Sequence, residues 1–191
     1  MSQAAHSALV DDPVLGPIVD AHGPITLDRA EDPFQRLVVS ILRQQVSMAS
    51  AAAMRERLFE RVEVTPGSIL AADEETLKGA GLSDAKVEYV RAAARAFDRR
   101  PLGDGYFDDR SDEEVIAELS EIRGIGPWTA KMFLIFGLAR EDVFPVEDLG
   151  IRKGMRDLFE EDLSRAEMVE RAEPWRPYRT YASKYIWRAY E

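Results

Sequence analysis

The chain has 191 residues, 46% of them hydrophobic, with 25 Lys and Arg against 35 Asp and Glu, a formal net charge of −10. A chain of this size can bury on the order of 70% of its unfolded surface, enough for a one-piece or two-lobed core. It has no cysteine, which excludes disulfides and thiolate-held metal.

No apolar run is long enough to span a bilayer, and the opening Met1-Ser2-Gln3-Ala4-Ala5-His6 lacks the charged and apolar regions of a secretory leader. A cytoplasmic, prokaryotic protein without a membrane partner is therefore the expectation. The acidity should slow encounter with a polyanion. What counts at contact is the local field, and the charges are not evenly spread. Acids gather in Asp108-Asp109, Asp112-Glu113-Glu114 and Glu160-Glu161-Asp162, whereas Arg123, Lys131, Arg152, Lys153 and Arg156 cluster elsewhere. The two sets could form opposite faces, or all could be ordinary solvated helix residues.

In chain order the predicted elements are helical. Asp32 caps and Pro33 starts a helix with Phe34, Leu37, Val38, Ile41 and Leu42 on one face. After the turn Gln44-Gln45-Val46-Ser47, an alanine-rich helix runs to about Phe59. Short helices at about 68–72 and 74–77 lead to a longer one after Ser83, striped by Val87, Val90, Ala94 and Phe97. Residues 101–110 read as a loop centred on Gly103-Asp104-Gly105.

Ser111 with Glu114 forms a capping-box pattern, and Val115, Ile116, Leu119 and Ile122 recur at helical spacing, so a helix runs from about Asp112 to Ser120 or beyond. Gly124 and Gly126 break it. Pro127 then fits the first turn of a new helix whose apolar positions are Trp128, Met132, Phe133, Ile135, Phe136 and Leu138. The result is helix, tight hairpin, helix. Backbone N–H groups around the two glycines can converge on a phosphate oxygen, although Gly-x-Gly-Pro can also simply join two packed helices. Asp148 opens the next helix as a natural N-cap. Ser164 with Glu167 opens another, and a last helix starts near Tyr178. No strand pattern, internal repeat or low-complexity tract stands out.

These segments together resemble the helix-hairpin-helix DNA glycosylases, and within them the 3-methyladenine glycosylase II (AlkA-like) branch. The resemblance rests on the hairpin Ile122-Arg123-Gly124-Ile125-Gly126-Pro127-Trp128-Thr129-Ala130 and on Asp148 followed by Leu149-Gly150-Ile151. It rests also on Ser40-Ile41-Leu42-Arg43-Gln44-Gln45-Val46-Ser47, on Gly81-Leu82-Ser83-Asp84-Ala85-Lys86-Val87-Glu88-Tyr89, and on the run from Trp175 to Trp187. It covers nearly the whole chain.

The resemblance implies an all-α, two-lobed fold with a DNA-facing cleft between the lobes. One lobe would be residues 32–140, holding the hairpin, and the other residues 1–31 with 141–191, carrying the catalytic aspartate. The additional N-terminal mixed domain of many relatives is expected to be absent. The partner implied is double-stranded DNA containing damaged bases, bound by a monomer. The reaction implied is hydrolysis of the N-glycosidic bond of alkylated purines after base flipping. Alternatives are a glycosylase of the same fold acting on deaminated, mismatched or oxidised bases, and a noncatalytic module that recognises distorted DNA.

Residue by residue, the resemblance makes Asp148 the catalytic carboxylate, stabilising positive charge on the deoxyribose and positioning water, with the adjacent Glu147 as runner-up. Trp187, Trp128, Tyr178 and Phe133 are candidates for the base pocket. Core packing is the competing reading for each, and for Trp175, Tyr181 and Tyr185 as well. Gln45 is the candidate wedge in the minor groove, with Gln44 beside it. Gly124, Gly126, Thr129 and Lys131 are candidates to grip phosphate.

Bifunctional relatives carry a lysine where this chain has Trp128, which implies no lyase activity; Lys131 does not match that lysine. No cofactor is required. A structural Na+ or K+ on the backbone carbonyls of Ser120, Ile122 and Gly124 is implied as possible, whereas the cysteine-bound iron–sulfur cluster of some relatives cannot form here. His6 and His22 are the only histidines, with no chelating cluster around them.

Overall fold

Side-chain caps decide where most of the helices begin. In the computed structural model, which describes residues 3–100, 102–103 and 105–190, a side-chain oxygen at each of Asp32, Ser47, Thr65, Asp73, Ser83, Ser111, Asp148 and Ser164 accepts the backbone N–H three residues on. Ser111 with Glu114 and Ser164 with Glu167 close full capping boxes. Each such cap is worth about 1 kcal/mol.

The helices that follow are α1 (Gln3–Val10), α2 (Gly16–His22), α3 (Pro33–Leu42), α4 (Met48–Arg61), α5 (Pro66–Ala71), α6 (Glu74–Gly79), α7 (Asp84–Arg99), α8 (Asp112–Ser120), α9 (Pro127–Phe136), α10 (Leu149–Phe159), α11 (Arg165–Arg171) and α12 (Arg179–Tyr190). The fold is all-α. The sequence pattern does not reveal α1 and α2. Unlike the shorter α5 and α6, which Thr65 and Asp73 cap, α2 opens with no side-chain cap to announce it.

The chain divides into two units, of which one is the continuous segment Ala30–Leu138 and the other is made by the chain on either side of it. In the continuous unit, α3 packs on α4, α7 and α9, and α8 packs on α9. Phe34, Leu37, Val38, Ile41 and Leu42 of α3 are all buried, as the stripe predicts. Of the expected loop 101–110, Pro101 and Asp104 lie outside the described residues; the remainder turns without helix. It is tied down by Glu118 on α8, whose carboxylate accepts from Arg100, Arg110 and the Tyr106 hydroxyl at 2.7–2.9 Å.

In the other unit α10 and α12 pack together, α2 lies against α12, and Trp175, Tyr181 and Tyr185 fill the core with Ile151, Met155 and Ile186. The start of α12 is fastened to the segment that leads towards α10. Thr180 Oγ1 accepts from Val143 N at 2.9 Å and donates to Arg140 O at 2.6 Å. The Arg179 guanidinium meets both oxygens of the Asp142 carboxylate. Further along, α10 and α12 approach closely at Gly154, where a Cβ would overlap the Ile186 side chain.

That contact generates a prediction. Gly154→Ala places a methyl against a fully buried, β-branched isoleucine and should destabilise the fold by about 1–3 kcal/mol, read as a lower urea midpoint at unchanged slope. Gly67→Ala, on α5 with nothing near the new methyl, should hold or raise the midpoint.

Candidate active site

Asp148 stands at the N-cap of α10, half-buried. Its Oδ1 accepts two donors, the backbone N–H of Ile151 at 3.0 Å and the indole Nε1–H of Trp187 at 2.9 Å. The first follows from capping geometry. The second brings together residues 39 apart in sequence, and it depends on the close α10–α12 packing at Gly154. A capping carboxylate is thus also oriented by a half-buried tryptophan. Tyr178, half-buried just before α12, sets its ring edge-on against Tyr181. Trp175 is only 2% exposed, and its Nε1 donates to Asp12 Oδ2, so it serves the core. Tyr185 is also core, its hydroxyl donating to Gly23 O.

The hairpin lies in the other unit. Gly124 has φ +86°, a conformation natural to glycine, and it rests on the Tyr89 ring of α7 so closely that a Cβ would overlap it. Gly126 is extended, exposed, and has nothing near the position of a Cβ. Glycine is therefore required at 124 but not, on steric or conformational grounds, at 126. Trp128 and Lys131 are half-buried on the first turns of α9.

Three expectations need correction. Phe133 is completely buried, with its ring edge-on to Phe107, so it fills the core of its own unit and has no face to offer a base. Thr129 is 2% exposed and its hydroxyl accepts from Gln44 Nε2 at 2.8 Å, which turns it away from a phosphate. Gln44, half-buried, points inward to Gly124 O and Thr129 Oγ1 instead of outward to a groove.

Of the three carbonyls expected to hold a monovalent cation, Gly124 O accepts from Gln44 Nε2 and Ile122 O accepts from Ile125 N, one bond each. Among the described residues no group of three or more His, Cys, Asp or Glu could hold a metal ion.

Two of the bases in the sequence's basic set are paired with acids. Arg156 pairs with Asp162 and Arg123 with Glu88. The positive group that sequence reasoning overlooked combines Arg36 of α3 and Arg55 of α4 with Arg43 at the α3–α4 turn. Arg36 lies 4.7 Å over the Phe136 ring, and burial, followed by the charges of Arg43 and Arg55, pushes its guanidinium down to about 10. At the tip of that turn Gln45 is exposed in a left-handed conformation (φ +54°), flanked by exposed Val46 and by Met48, 60% exposed. The apolar exposure beside a polar tip was the missed signal.

Residues 38–177 match the family model described as HhH-GPD superfamily base excision DNA repair protein. The DNA-3-methyladenine glycosylase of Saccharomyces cerevisiae is 33% identical over 215 aligned residues, covering 100% of this chain and 71% of the relative. The YfjP protein of Bacillus subtilis is 30% identical over 93% of this chain, which spans 66% of its length. The structure of the 3-methyladenine DNA glycosylase of Schizosaccharomyces pombe in complex with abasic DNA superposes with a TM-score of 0.90 at 29% identity, covering 97% of this chain and 96% of that one. The chain belongs to the HhH-GPD superfamily and, within it, to the 3-methyladenine (AlkA-like) glycosylase branch.

The hairpin geometry yields a paired prediction. Gly124→Ala should lower the thermal midpoint by several degrees and weaken binding to any duplex, because the methyl must displace Tyr89 from under a left-handed residue. Gly126→Ala should leave the midpoint within about 2 °C of the parent. Equal effects from the two would contradict the separate roles.

Proposed function

We propose that this chain is a monofunctional DNA glycosylase that releases alkylated purines of the 3-methyladenine and 7-methylguanine type from duplex DNA, opening base excision repair. The observation that carries the reading is the carboxylate of Asp148 held by the Trp187 indole at 2.9 Å. It puts a fixed negative charge beside an electron-rich ring, which suits a cationic purine attached to a sugar that becomes cationic as the bond breaks.

The damaged nucleotide swings out of the stack and its base lies against Trp187, attracted through stacking and cation–π contact, with Tyr178 as further aromatic surface. The bond between C1′ and the purine nitrogen breaks. Its electron pair neutralises the positive base, which therefore leaves without an acid. Asp148 stabilises the oxocarbenium-like sugar and orients water, whose oxygen bonds to C1′ while its proton passes to the carboxylate or solvent.

Gln45 fills the vacated space in the stack, with Val46 and Met48 offering apolar contact to the neighbouring sugars. The cationic group around Arg36, Arg43 and Arg55 supplies local attraction that the net charge lacks. Hairpin amides at Gly126 and the start of α9, with Lys131, hold a phosphate of the same strand. Among the described residues no helix is long and apolar enough to cross a membrane. The enzyme acts as a monomer, in the prokaryotic cytoplasm by the sequence expectation.

Asp148→Asn isolates the charge. Asparagine caps as well as aspartate does, and its amide oxygen can still accept from Ile151 and Trp187. Fold and lesion binding should persist, while loss of about 3 kcal/mol of barrier stabilisation slows single-turnover release of 7-methylguanine or 3-methyladenine about 10²-fold. Release within twofold of the parent would remove Asp148 from the chemistry. A parent chain that releases only deaminated or oxidised bases from a lesion panel would move the substrate class.

Trp128 in place of a lysine leaves no amine at that position to attack C1′. Borohydride should therefore fail to trap the protein on lesion-bearing duplex, and strand breaks should appear only after alkali. Trapping that disappears in Lys131→Ala would make the enzyme bifunctional.

A further inference from the structure

Gln44 sits beside the exposed tip of the α3–α4 turn, yet its side chain turns away from it. Gly124 O can only accept, which fixes the orientation of the Gln44 amide: Nε2 directs one hydrogen to that carbonyl at 2.9 Å and the other to Thr129 Oγ1 at 2.8 Å. A primary amide nitrogen has two hydrogens, and both are used. One side chain thereby joins the turn bearing Gln45 to both ends of the hairpin corner, the left-handed glycine and the first turn of α9.

The same two pieces are held from below by α7. Lys86, 8% exposed, donates its Nζ to Leu42 O at the end of α3, at 2.6 Å. Burial holds its ammonium below the ordinary lysine range, and the charge-assisted bond to that carbonyl offsets the cost of enclosing it. Tyr89, three residues on and on the same side of the helix, is the platform under Gly124. The turn, the hairpin and α7 are thus linked pairwise by Gln44, Lys86 and Tyr89.

We infer that Gln44 is a positioning residue that locks the wedge turn and the phosphate-gripping hairpin into one register, so that Gln45 enters the stack at a fixed offset from the held phosphate. The inference rests on the glycosylase reading for the role of Gln45, and it extends that reading by assigning a residue that touches neither base nor phosphate. A loose turn would still bind DNA through its charges, but insertion would no longer be set by the grip. Lesion preference should therefore fall more than affinity for undamaged duplex.

The test compares binding to a duplex carrying a tetrahydrofuran abasic analogue with binding to the same duplex undamaged, at fixed salt. Gln44→Ala should cut the preference for the abasic duplex about tenfold, and Gln45→Ala should cut it similarly. The double variant should be no worse than the poorer single one, because a misplaced wedge has little left to lose. Thr129→Val removes one acceptor while keeping the shape and should lose part of the preference; Thr129→Ser restores the hydroxyl and should retain it. This pair reads the same lock if Gln44→Ala does not fold.

A preference within twofold of the parent in both Gln44→Ala and Thr129→Val overturns the inference. So do losses that multiply in the double variant, which would place Gln44 itself in the groove. Because the readout is binding, a parent chain that prefers the abasic duplex but releases no base sinks the glycosylase reading and leaves the lock standing; a parent with no preference sinks both.

Discussion

A single oxygen, Oδ1 of Asp148, takes the N–H of Ile151 and the indole N–H of Trp187, and much else in its unit serves to make that possible. The capping bond alone would fix the carboxylate relative to α10 only. The indole bond makes its position a function of where α12 lies. Gly154 lets the two helices come close, Thr180 and the Arg179–Asp142 pair set where α12 begins, and the core around Trp175 and Tyr185 sets its tilt. Helix packing is thereby converted into the distance between a charge and a ring.

The hairpin unit follows a different logic. Its proposed functional groups are backbone amides and a short turn, so positions must be enforced by what surrounds the backbone. Gly124 adopts a left-handed conformation on an aromatic platform, and no larger residue could occupy both its conformation and its space. Polar side chains that the sequence alone places at an interface with DNA, Gln44 and Thr129, are spent on holding that backbone. A buried hydroxyl and a half-buried amide satisfy each other, which leaves the exposed tip to Gln45, Val46 and Met48.

This difference explains how much could be read in advance. Caps are local signals three residues wide, so Asp32, Ser111, Asp148 and Ser164 announced their helices, and the glycines with Pro127 announced the hairpin. Asp148 stood out because a cap and a family motif coincided. The hydrogen bonds of Gln44 span 80 and 85 residues, and no local pattern encodes them. Phe133 was ambiguous for another reason. On α9, Thr129, Ala130, Met132, Phe133, Leu134 and Ile135 are all buried, so the helix is enclosed nearly all round and periodicity does not select a face. The cationic group escaped notice because Arg36, Arg43 and Arg55 come from two helices and the turn between them and are dispersed in the sequence.

The net charge of −10 has a kinetic consequence for how such a protein would share a cell with undamaged DNA. Beyond a Debye length, about 8–10 Å at physiological salt, charge is largely screened, and within it the acidic surface gives no general attraction to gather the protein onto a chromosome. Attraction would begin only where local cations meet phosphate, and with few counterions released per encounter the contact would be brief. Intact duplex, present in vast excess, would then sequester little of the enzyme. On the proposed reading, discrimination would fall to residence time: a site that accepted Gln45 and yielded its base would keep the protein long enough for chemistry, and every other site would let it go.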